Sequence, residues 1–237
     1  MGVIFFNGIS SDEIGIVVET PPDYEIAQRD YETVSVPGRS GDLIIDKGGY
    51  LNVDRTYQIA IGEENGNFAV LASKMAGWLN SGYGYKRLED TYEPDFYMMA
   101  TMMDPGSIVN ILQQAGRTTV TFNRKPQRFY KYGEFPVVFE SNGELVNPSS
   151  FESEPIITVY GSGPGQIQIG NYAVYINAIG GEMVINSEIQ EVYHGNINKN
   201  NQVTFMDSFP KLVKGSNQIG FSGGVTKISV IPRWWTI

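Results

Sequence analysis

A period of two in hydrophobicity runs through the first third of the chain and constrains its fold more than any other feature. The alternation is clearest in residues 3–6, 15–19 and 24–36. Because successive side chains of a β-strand point to opposite faces, this alternation predicts strands with one buried face. Tyr57, Ile59 and Ile61 are predicted to share a strand face, and Lys47-Gly48-Gly49 is predicted to be a hairpin turn.

One segment breaks this period. Apolar residues recur at helical spacing in Leu71, Met75 and Trp78, in a stripe that starts at Phe68 and ends before Gly82. We therefore predict one long helix whose apolar face packs on the sheet. Trp78 is expected in the core rather than on a ligand-binding surface.

The composition changes beyond residues 132–136. Gly, Ser and Asn become frequent there, and short β-patterned segments follow one another at the spacing of a β-sandwich. Gly170-Asn171 is a two-residue hairpin signal between two of these segments. The sequence therefore predicts an all-β protein with one α-helix, divided into domains 1–132 and 133–237.

Composition and charge narrow the class of protein. The 27 Gly, 14 Tyr and 12 Phe favour a turn-rich β-protein, and a net charge of −9 argues against nucleic acid as the main partner. Cysteine is absent, which excludes disulfides, thiol catalysis and thiolate metal sites. Residues 1–7 lack the pattern of a signal peptide, and no apolar run approaches the ~20 residues that span a bilayer, so we expect no membrane insertion.

The segment Val36-Pro37-Gly38-Arg39-Ser40-Gly41-Asp42 lies between two β-patterned stretches. The proline fixes one φ, and the two glycines allow backbone angles that other residues resist. This pattern predicts a tight, ordered loop that presents Arg39. The segment contains no metal ligand set, no activated nucleophile and no phosphate-binding spacing, so we interpret it as a contact surface.

Two glycine-rich motifs match the consensus sequences of functional sites but lack the other residues and elements that those sites require. Gly220-Phe221-Ser222-Gly223-Gly224 matches the nucleophile elbow, which needs a following helix and a later histidine, whereas the only histidine, His194, comes before it. Gly161-Ser162-Gly163-Pro164-Gly165 lacks the lysine and helix of a phosphate loop. Both motifs are predicted to be turns, and we predict no catalytic residue, no cofactor and no metal.

One local basic cluster interrupts the acidic chain. It comprises Arg117, Arg124, Lys125, Arg128 and Lys131, interleaved with aromatic residues. Cations and aromatic rings together can bind single-stranded nucleic acid. In an acidic protein they more often face an acidic partner surface or solvent, so we predict a protein interface that includes Arg124, Lys125 and Arg128.

Four blocks of sequence, taken in order, resemble a known family. They are residues 36–42, Gly77-Trp78-Leu79, residues 86–90 and Phe122-Asn123-Arg124-Lys125-Pro126. Their order and spacing resemble the N-terminal domain of the siphophage distal tail protein (Dit). The segments Phe209-Pro210-Lys211-Leu212, Gly215-Ser216-Asn217 and Ile231-Pro232-Arg233-Trp234-Trp235 resemble the last strands of the galectin-like or carbohydrate-module-like domain of many members.

This resemblance implies a structural role without bond chemistry. The family forms a hexameric ring in the virion, made in the host cytoplasm, at the tip of a long non-contractile phage tail. The N-terminal β-sandwich-like domains form the ring, which docks on the tail tube protein and carries tail-tip, tail-fibre or baseplate proteins. The C-terminal domains project outward and in some members hold receptor-binding proteins. In such a ring we predict Pro37, Gly38 and Arg39 at or near a subunit interface.

Two other classes of function stay open at this point. A cell-wall carbohydrate-binding module, or an adsorption protein that contacts host glycans, is suggested by the sandwich pattern and by Trp234 and Trp235. These two tryptophans face opposite sides of a strand, so one of them could stack on a sugar. An enzyme is the other class, but the sequence offers no convergent set of acid, base and nucleophile.

Overall fold

The structure is a computed structural model that describes residues 2–61, 68–104, 109–110 and 116–237. The chain forms two compact units: unit 1 is Met1–Arg128 with Ile237, and unit 2 is Phe129–Thr236. Strands dominate both units, and one α-helix occurs among the described residues. The predicted class, all-β with β-sandwich domains and a single helix, is confirmed. The division into functional domains 1–132 and 133–237 stays a prediction.

The described residues of unit 1 form a main sheet, one α-helix and a separate pair of strands. Its elements are β1 (Ile4–Phe6), β2 (Ile9–Ser10), β3 (Ile16–Val18), β4 (Arg29–Val34), β5 (Leu43–Tyr50), β6 (Val53–Ile61), α1 (Phe68–Leu79), β7 (Lys86–Asp90), β8 (Phe96–Asp104), β9 (Val109–Asn110) and β10 (Gly116–Tyr130), the last of which runs into unit 2. The main sheet has the order β2-β1-β7-β8-β10-β6-β3, and β9 pairs with β10.

The core of unit 1 follows the predicted periods. Tyr57, Ile59 and Ile61 are buried on one face of β6, as the alternation predicts. Met75 and Trp78 of α1 belong to the same core, and the indole Nε1 of Trp78 donates a hydrogen bond to the Phe6 carbonyl at 3.2 Å. The helix and the core position of Trp78 are therefore confirmed.

Strands β4 and β5 form a two-stranded sheet of their own, which we call the arm (residues 29–50). The predicted turn at Lys47-Gly48-Gly49 is wrong, since these residues lie within β5. Between the pairs Arg29↔Tyr50 and Tyr31↔Asp46, three residues of β5 stand opposite one residue of β4. Gly48 has a φ of +80°, so the three residues make a bulge in a strand that continues.

Unit 2 is built on one eight-stranded sheet. Its strands are β11 (Val137–Phe139), β12 (Gly143–Asn147), β13 (Ile156–Ile169), β14 (Tyr172–Asn186), β15 (Glu191–His194), β16 (Ile197–Asn198), β17 (Val203–Phe205) and β18 (Gly215–Ile231), and β19 (Trp235–Thr236) follows. The order is β11-β18-β13-β14-β15-β16, with β12 on β18 and β17 on β14. Ile169 pairs with Tyr172, so the predicted hairpin at Gly170-Asn171 is confirmed.

Glycines of three neighbouring strands lie at the same level of this sheet. Gly161 of β13 stands opposite Gly181 of β14, and Gly165 stands opposite Gly223 of β18, beside shifts in register. The motifs at residues 161–165 and 220–224 were predicted to be turns, and both predictions are wrong. A Cβ on Gly224 would lie 1.9 Å from the Ser162 carbonyl oxygen. Glycine therefore permits close backbone approach in long, bulged strands here and does not reverse the chain.

Candidate functional site

The arm carries apolar side chains that neither core covers. Tyr31, Val34, Leu43, Ile44 and Ile45 are exposed, and Ile44 keeps 67% of its surface accessible. Since Ile44 and Ile45 are adjacent on β5, they point to opposite faces, so both faces of the arm are apolar. The burial of one face that alternation predicts for residues 24–36 does not occur. A two-stranded hairpin is marginal by itself, and exposed apolar patches mark interaction sites.

Polar contacts hold the base of the arm. Arg29 Nε lies 2.7 Å from Asp46 Oδ2, and the guanidinium lies 5.5 Å from the centre of the Tyr50 ring. The Gly48 amide donates to Asp46 Oδ1 at 2.8 Å. This backbone hydrogen bond, and after it the bond from Arg29, lowers the pKa of Asp46 below its usual value. The charged form of Asp46 therefore stabilises the bulge and the pairing of β4 with β5.

Residues 36–42 form the tip of the arm, which confirms the predicted loop. The Arg39 amide donates to the Val36 carbonyl at 3.1 Å, and Gly38 has a φ of +80°. Proline followed by a glycine of positive φ is the pattern of a type II turn. Pro37, Gly38 and Arg39 are all exposed at this tip, and among the described residues the Arg39 guanidinium has no hydrogen-bond or ion-pair partner.

An open groove lies at the root of the arm, where the arm leaves the main sheet. We call it the root groove; its volume is about 550 Å³, and it is lined by Glu25, Ile26, Gln28, Leu51, Asn52, Val53, Asp54 and Asn123. Asn123 Nδ2 donates to Asp54 Oδ1 at 2.7 Å, and Asn52 Nδ2 donates to Asn123 Oδ1 at 2.6 Å. The groove thus combines two carboxylates, a fixed row of amides and exposed apolar side chains. Its use could not be read from local sequence patterns, because Asn123 is distant in the chain from the other lining residues.

Arg124 and Lys125, predicted in a protein interface, make contacts inside unit 1. Arg124 is only 2% exposed, and its guanidinium donates to the carbonyls of Lys125, Pro126 and Glu25 at 3.0 to 3.2 Å. Burial lowers the pKa of Arg124 to about 10. Lys125 places its Nζ 5.3 Å from the centre of the Tyr85 ring. Through its bond to the Glu25 carbonyl, Arg124 holds the chain segment just before the arm in place. Its role in an interface stays a prediction.

Arg128 belongs to a different group of charges. Its Nη1 donates to Glu93 Oε2 at 2.8 Å, and its guanidinium lies 5.3 Å from the Tyr24 ring and 5.0 Å from the Phe96 ring. Arg117, from the same predicted cluster, pairs instead with Glu19 at 2.8 Å. The cations that adjoin in sequence therefore have separate partners, and the interface role of Arg128 also stays a prediction.

A buried ionic network links β6 to the end of β7 and to the segment that follows it, and sequence reasoning missed it. Arg55 lies 2.8 Å from Asp90 and 2.8 Å from Glu93, and the Tyr57 hydroxyl donates to Asp90 at 2.6 Å. Arg55, Asp90 and Glu93 are almost completely buried. Burial alone lowers the pKa of Arg55, but the neighbouring Tyr57 and Asp90 outweigh it and raise that pKa. The signal in the sequence was Arg55 at a core-facing position of an alternating strand.

Among the described residues, neither Ser222 nor His194 belongs to a catalytic arrangement of side chains. Ser222 lies within β18, with no helix after it. His194 is exposed, and its Nδ1 lies 3.8 Å from Glu182. The described part of the chain contains no group of three or more His, Cys, Asp or Glu side chains that could hold a metal ion. None of its helices has the length and apolar character needed to cross a membrane.

Both C-terminal tryptophans are engaged within unit 2. Trp234 is 4% exposed and belongs to the core of that unit. Trp235 stacks on Phe151 with ring centres 4.4 Å apart, and its Nε1 donates to the Glu152 carbonyl at 2.8 Å. The core therefore covers the Trp234 indole, and Phe151 covers one face of the Trp235 indole.

Comparison with known proteins gives matches at the level of structure. No protein-family model matches the sequence, and no curated protein matches it significantly. The crystal structure of the Dit protein of phage SPP1, described as a paradigm of the hub adsorption apparatus in phages that infect Gram-positive bacteria, has a TM-score of 0.79 at 7% identity. That match covers 100% of this chain and 100% of the SPP1 chain.

The phage P2 baseplate in its activated conformation matches as well. Its structures with Ca and with Sr each have a TM-score of 0.51, at 10% and 11% identity. They cover 97% of this chain and 97% and 96% of the matched chains. The chain therefore shares the fold of Dit over its whole length, which confirms the predicted resemblance at the level of fold.

Proposed function

We propose that the protein is a structural component of a phage tail, a distal hub that links the tail tube to the host-adsorption apparatus. The observation that carries this proposal is the full-length match to the SPP1 Dit fold at a TM-score of 0.79. Fold alone does not imply function, so the site must supply independent support. Such support comes from the arm, whose exposed apolar faces suit assembly rather than catalysis.

The proposed assembly is a hexameric ring built by domain 1–132. A cyclic ring needs two different complementary surfaces on each subunit, and the arm is one such surface. Domain 133–237 would project from the ring. The proposed partners are the tail tube protein on one side and tail-tip, tail-fibre or receptor-binding proteins on the other, in the virion. We assign the protein no enzymatic activity.

The sugar-binding alternative receives little support from the two C-terminal tryptophans. It depended on an exposed tryptophan, whereas Trp234 is buried and Trp235 is stacked on Phe151. Glycan-array binding by the full chain would restore it.

The proposal is tested by the mass of the protein in solution. Light scattering coupled to size exclusion should give six times the 26.3 kDa chain. Ile44→Asp, which places a charge on the exposed face of the arm, should lower the association constant at least about tenfold, a loss of about 1.4 kcal/mol. The matched control is Ile189→Asp, at a similarly exposed position of unit 2, which should leave the mass unchanged.

Two results would contradict parts of the proposal. A wild-type chain that stays monomeric at every concentration would rule out a ring formed by this protein alone. A ring that persists in Ile44→Asp would place the subunit contact away from the arm. Antibody labelling of phage particles by electron microscopy tests the location, since label away from the tail end would exclude a distal hub.

A further inference from the structure

We propose that the tip of the arm of one copy docks in the root groove of the next copy, with Arg39 paired to Glu25 and Asp54. This inference rests on the proposed ring and names the surface that receives each arm. The root groove contains carboxylates and exposed apolar side chains, and the tip contains an unpaired cation beside apolar residues.

The tip cannot reach the groove of its own chain. Gln28 and Leu51 line the groove and directly flank the arm, and the Leu51 amide donates to the Gln28 carbonyl at 2.8 Å. β4, the strand without the bulge, has six residues, which at about 3.3 Å per residue places the tip about 20 Å from this root. An interaction between tip and groove therefore joins two molecules.

The two surfaces are complementary in charge. The Arg39 guanidinium, a fork of donors, has no partner among the described residues. In the groove, Asp54 uses one carboxylate oxygen to accept a hydrogen bond from Asn123, and its Oδ2 has no partner in the described part of the chain. Glu25 is exposed, and its carboxylate makes no hydrogen bond or ion pair in the described part of the chain, although its charge acts on Arg124. Hydrogen bonds from an arginine to two carboxylates are stronger in a partly closed groove than in open solvent.

The tip of the arm and the root groove also match in apolar surface and in size. Ile26 is 79% exposed and Leu51 is 47% exposed on the groove, while Val36 and Pro37 are exposed on the tip. The groove volume of about 550 Å³ lies within the range of sites that enclose small ligands, and it can admit a single turn. Since Pro37 and Gly38 already hold that turn, docking costs little conformational entropy.

The geometry has a direct consequence for assembly. A tip that enters a different surface on the next molecule makes a head-to-tail contact, and repetition of that contact closes a ring or extends a filament. The apolar faces of the arm then lie along the neighbour, which would cover Ile44 and Ile45. One contact thus explains both the exposed arm and the unpaired Arg39.

Cross-linking tests the inference cleanly because the chain contains no cysteine. One variant carries Ser40→Cys at the tip and the other carries Gln28→Cys in the groove, and both keep Arg39, Glu25 and Asp54. A mixture treated with a short bismaleimide should give a covalent heterodimer, whereas each variant alone should give at least about fivefold less dimer. Joining both substitutions in one chain should give a ladder of cross-linked oligomers.

Charge reversal makes the test specific. Adding Arg39→Glu to the Ser40→Cys chain should reduce the heterodimer at least about fivefold, and adding Asp54→Lys to the Gln28→Cys chain should restore it in part. Lys214→Glu, at an exposed position of unit 2, makes the same change in charge as Arg39→Glu and should have no effect.

The outcomes separate this inference from the proposed function. A hexameric mass without the heterodimer overturns tip docking and leaves the ring. Dimers of Ser40→Cys alone, in amounts equal to the mixture, also overturn it in favour of tip-to-tip contact. A specific heterodimer without a hexameric mass supports tip docking and overturns the ring, whereas a monomer that gives no cross-link overturns both.

Discussion

Arg55 occupies a core-facing position of β6, between Val53 and Tyr57. A charge at such a position requires partners, and Asp90 and Glu93 provide them at 2.8 Å each. The two carboxylates lie more than thirty residues away in the chain. Alternation therefore identified the face on which Arg55 lies, but its partners depended on which strands became neighbours.

Removal of this cation should destabilise unit 1 strongly. Arg55→Met leaves Asp90 buried without its counter-ion and Glu93 with Arg128 alone, and we expect a loss of about 3–5 kcal/mol in the free energy of unfolding. Urea unfolding measures this loss, and hydrogen exchange of the Ile59 amide reports unit 1 by itself. Arg117→Met is the control: its ion pair with Glu19 is solvent-exposed, so the loss should stay below about 1 kcal/mol. If the two substitutions lowered the free energy of unfolding equally, the burial of the Arg55 ion pairs would not explain their effect on stability.

Acid should loosen the base of the arm. The pKa of Asp46 lies below its usual value of 3.8 because the Gly48 amide and Arg29 bind the charged form. A lowered folded-state pKa means that this contribution is present above pH 3.8 and is lost as the pH falls through the folded pKa. The NMR shift of the Gly48 amide should titrate with a midpoint below 3.8. Asp46→Asn should abolish that titration, and a midpoint at or above 3.8 would contradict the contact.

At the scale of elements, the long strands of unit 2 depart most from their predicted form. β13 and β18 continue through glycine-rich segments that local patterns assign to turns. The same residues can reverse a chain or allow two backbones to approach closely. Which of these happens depends on the neighbouring strand, as the contact between Gly224 and Ser162 shows.

A single methyl group should distinguish the glycines of this sheet. Gly224→Ala places a Cβ 1.9 Å from the Ser162 carbonyl oxygen, so a backbone must shift, and we expect a loss of about 1–3 kcal/mol in the stability of unit 2. Gly180→Ala is the matched control on β14, because its Cβ would meet no atom within 4 Å. Its effect should stay within about 0.5 kcal/mol. Thermal unfolding compares the two, and equal stability would mean that the strands do not approach as closely.

The arm is the element whose observed burial differs most from the predicted burial. Its alternation resembles that of the buried strands, and the sequence therefore predicted a buried face. In the structure Tyr31 and Ile44 stay exposed, since the arm pairs only with itself. Apolar side chains that alternate along a strand become buried only when a second surface covers them. For the arm, we propose that this surface belongs to another copy of the chain.

At the scale of the whole molecule, the sequence by itself determined the class of fold, helix α1, the core face of β6 and the tight loop at residues 36–42. These features depend on the local periodicity of side chains and on the φ preferences of proline and glycine. Only the tertiary structure decided that the loop ends an exposed arm, that Arg124 is buried and that Arg55 meets Asp90. These depend on contacts between distant residues, because burial and pairing arise only when strands far apart in the chain become neighbours.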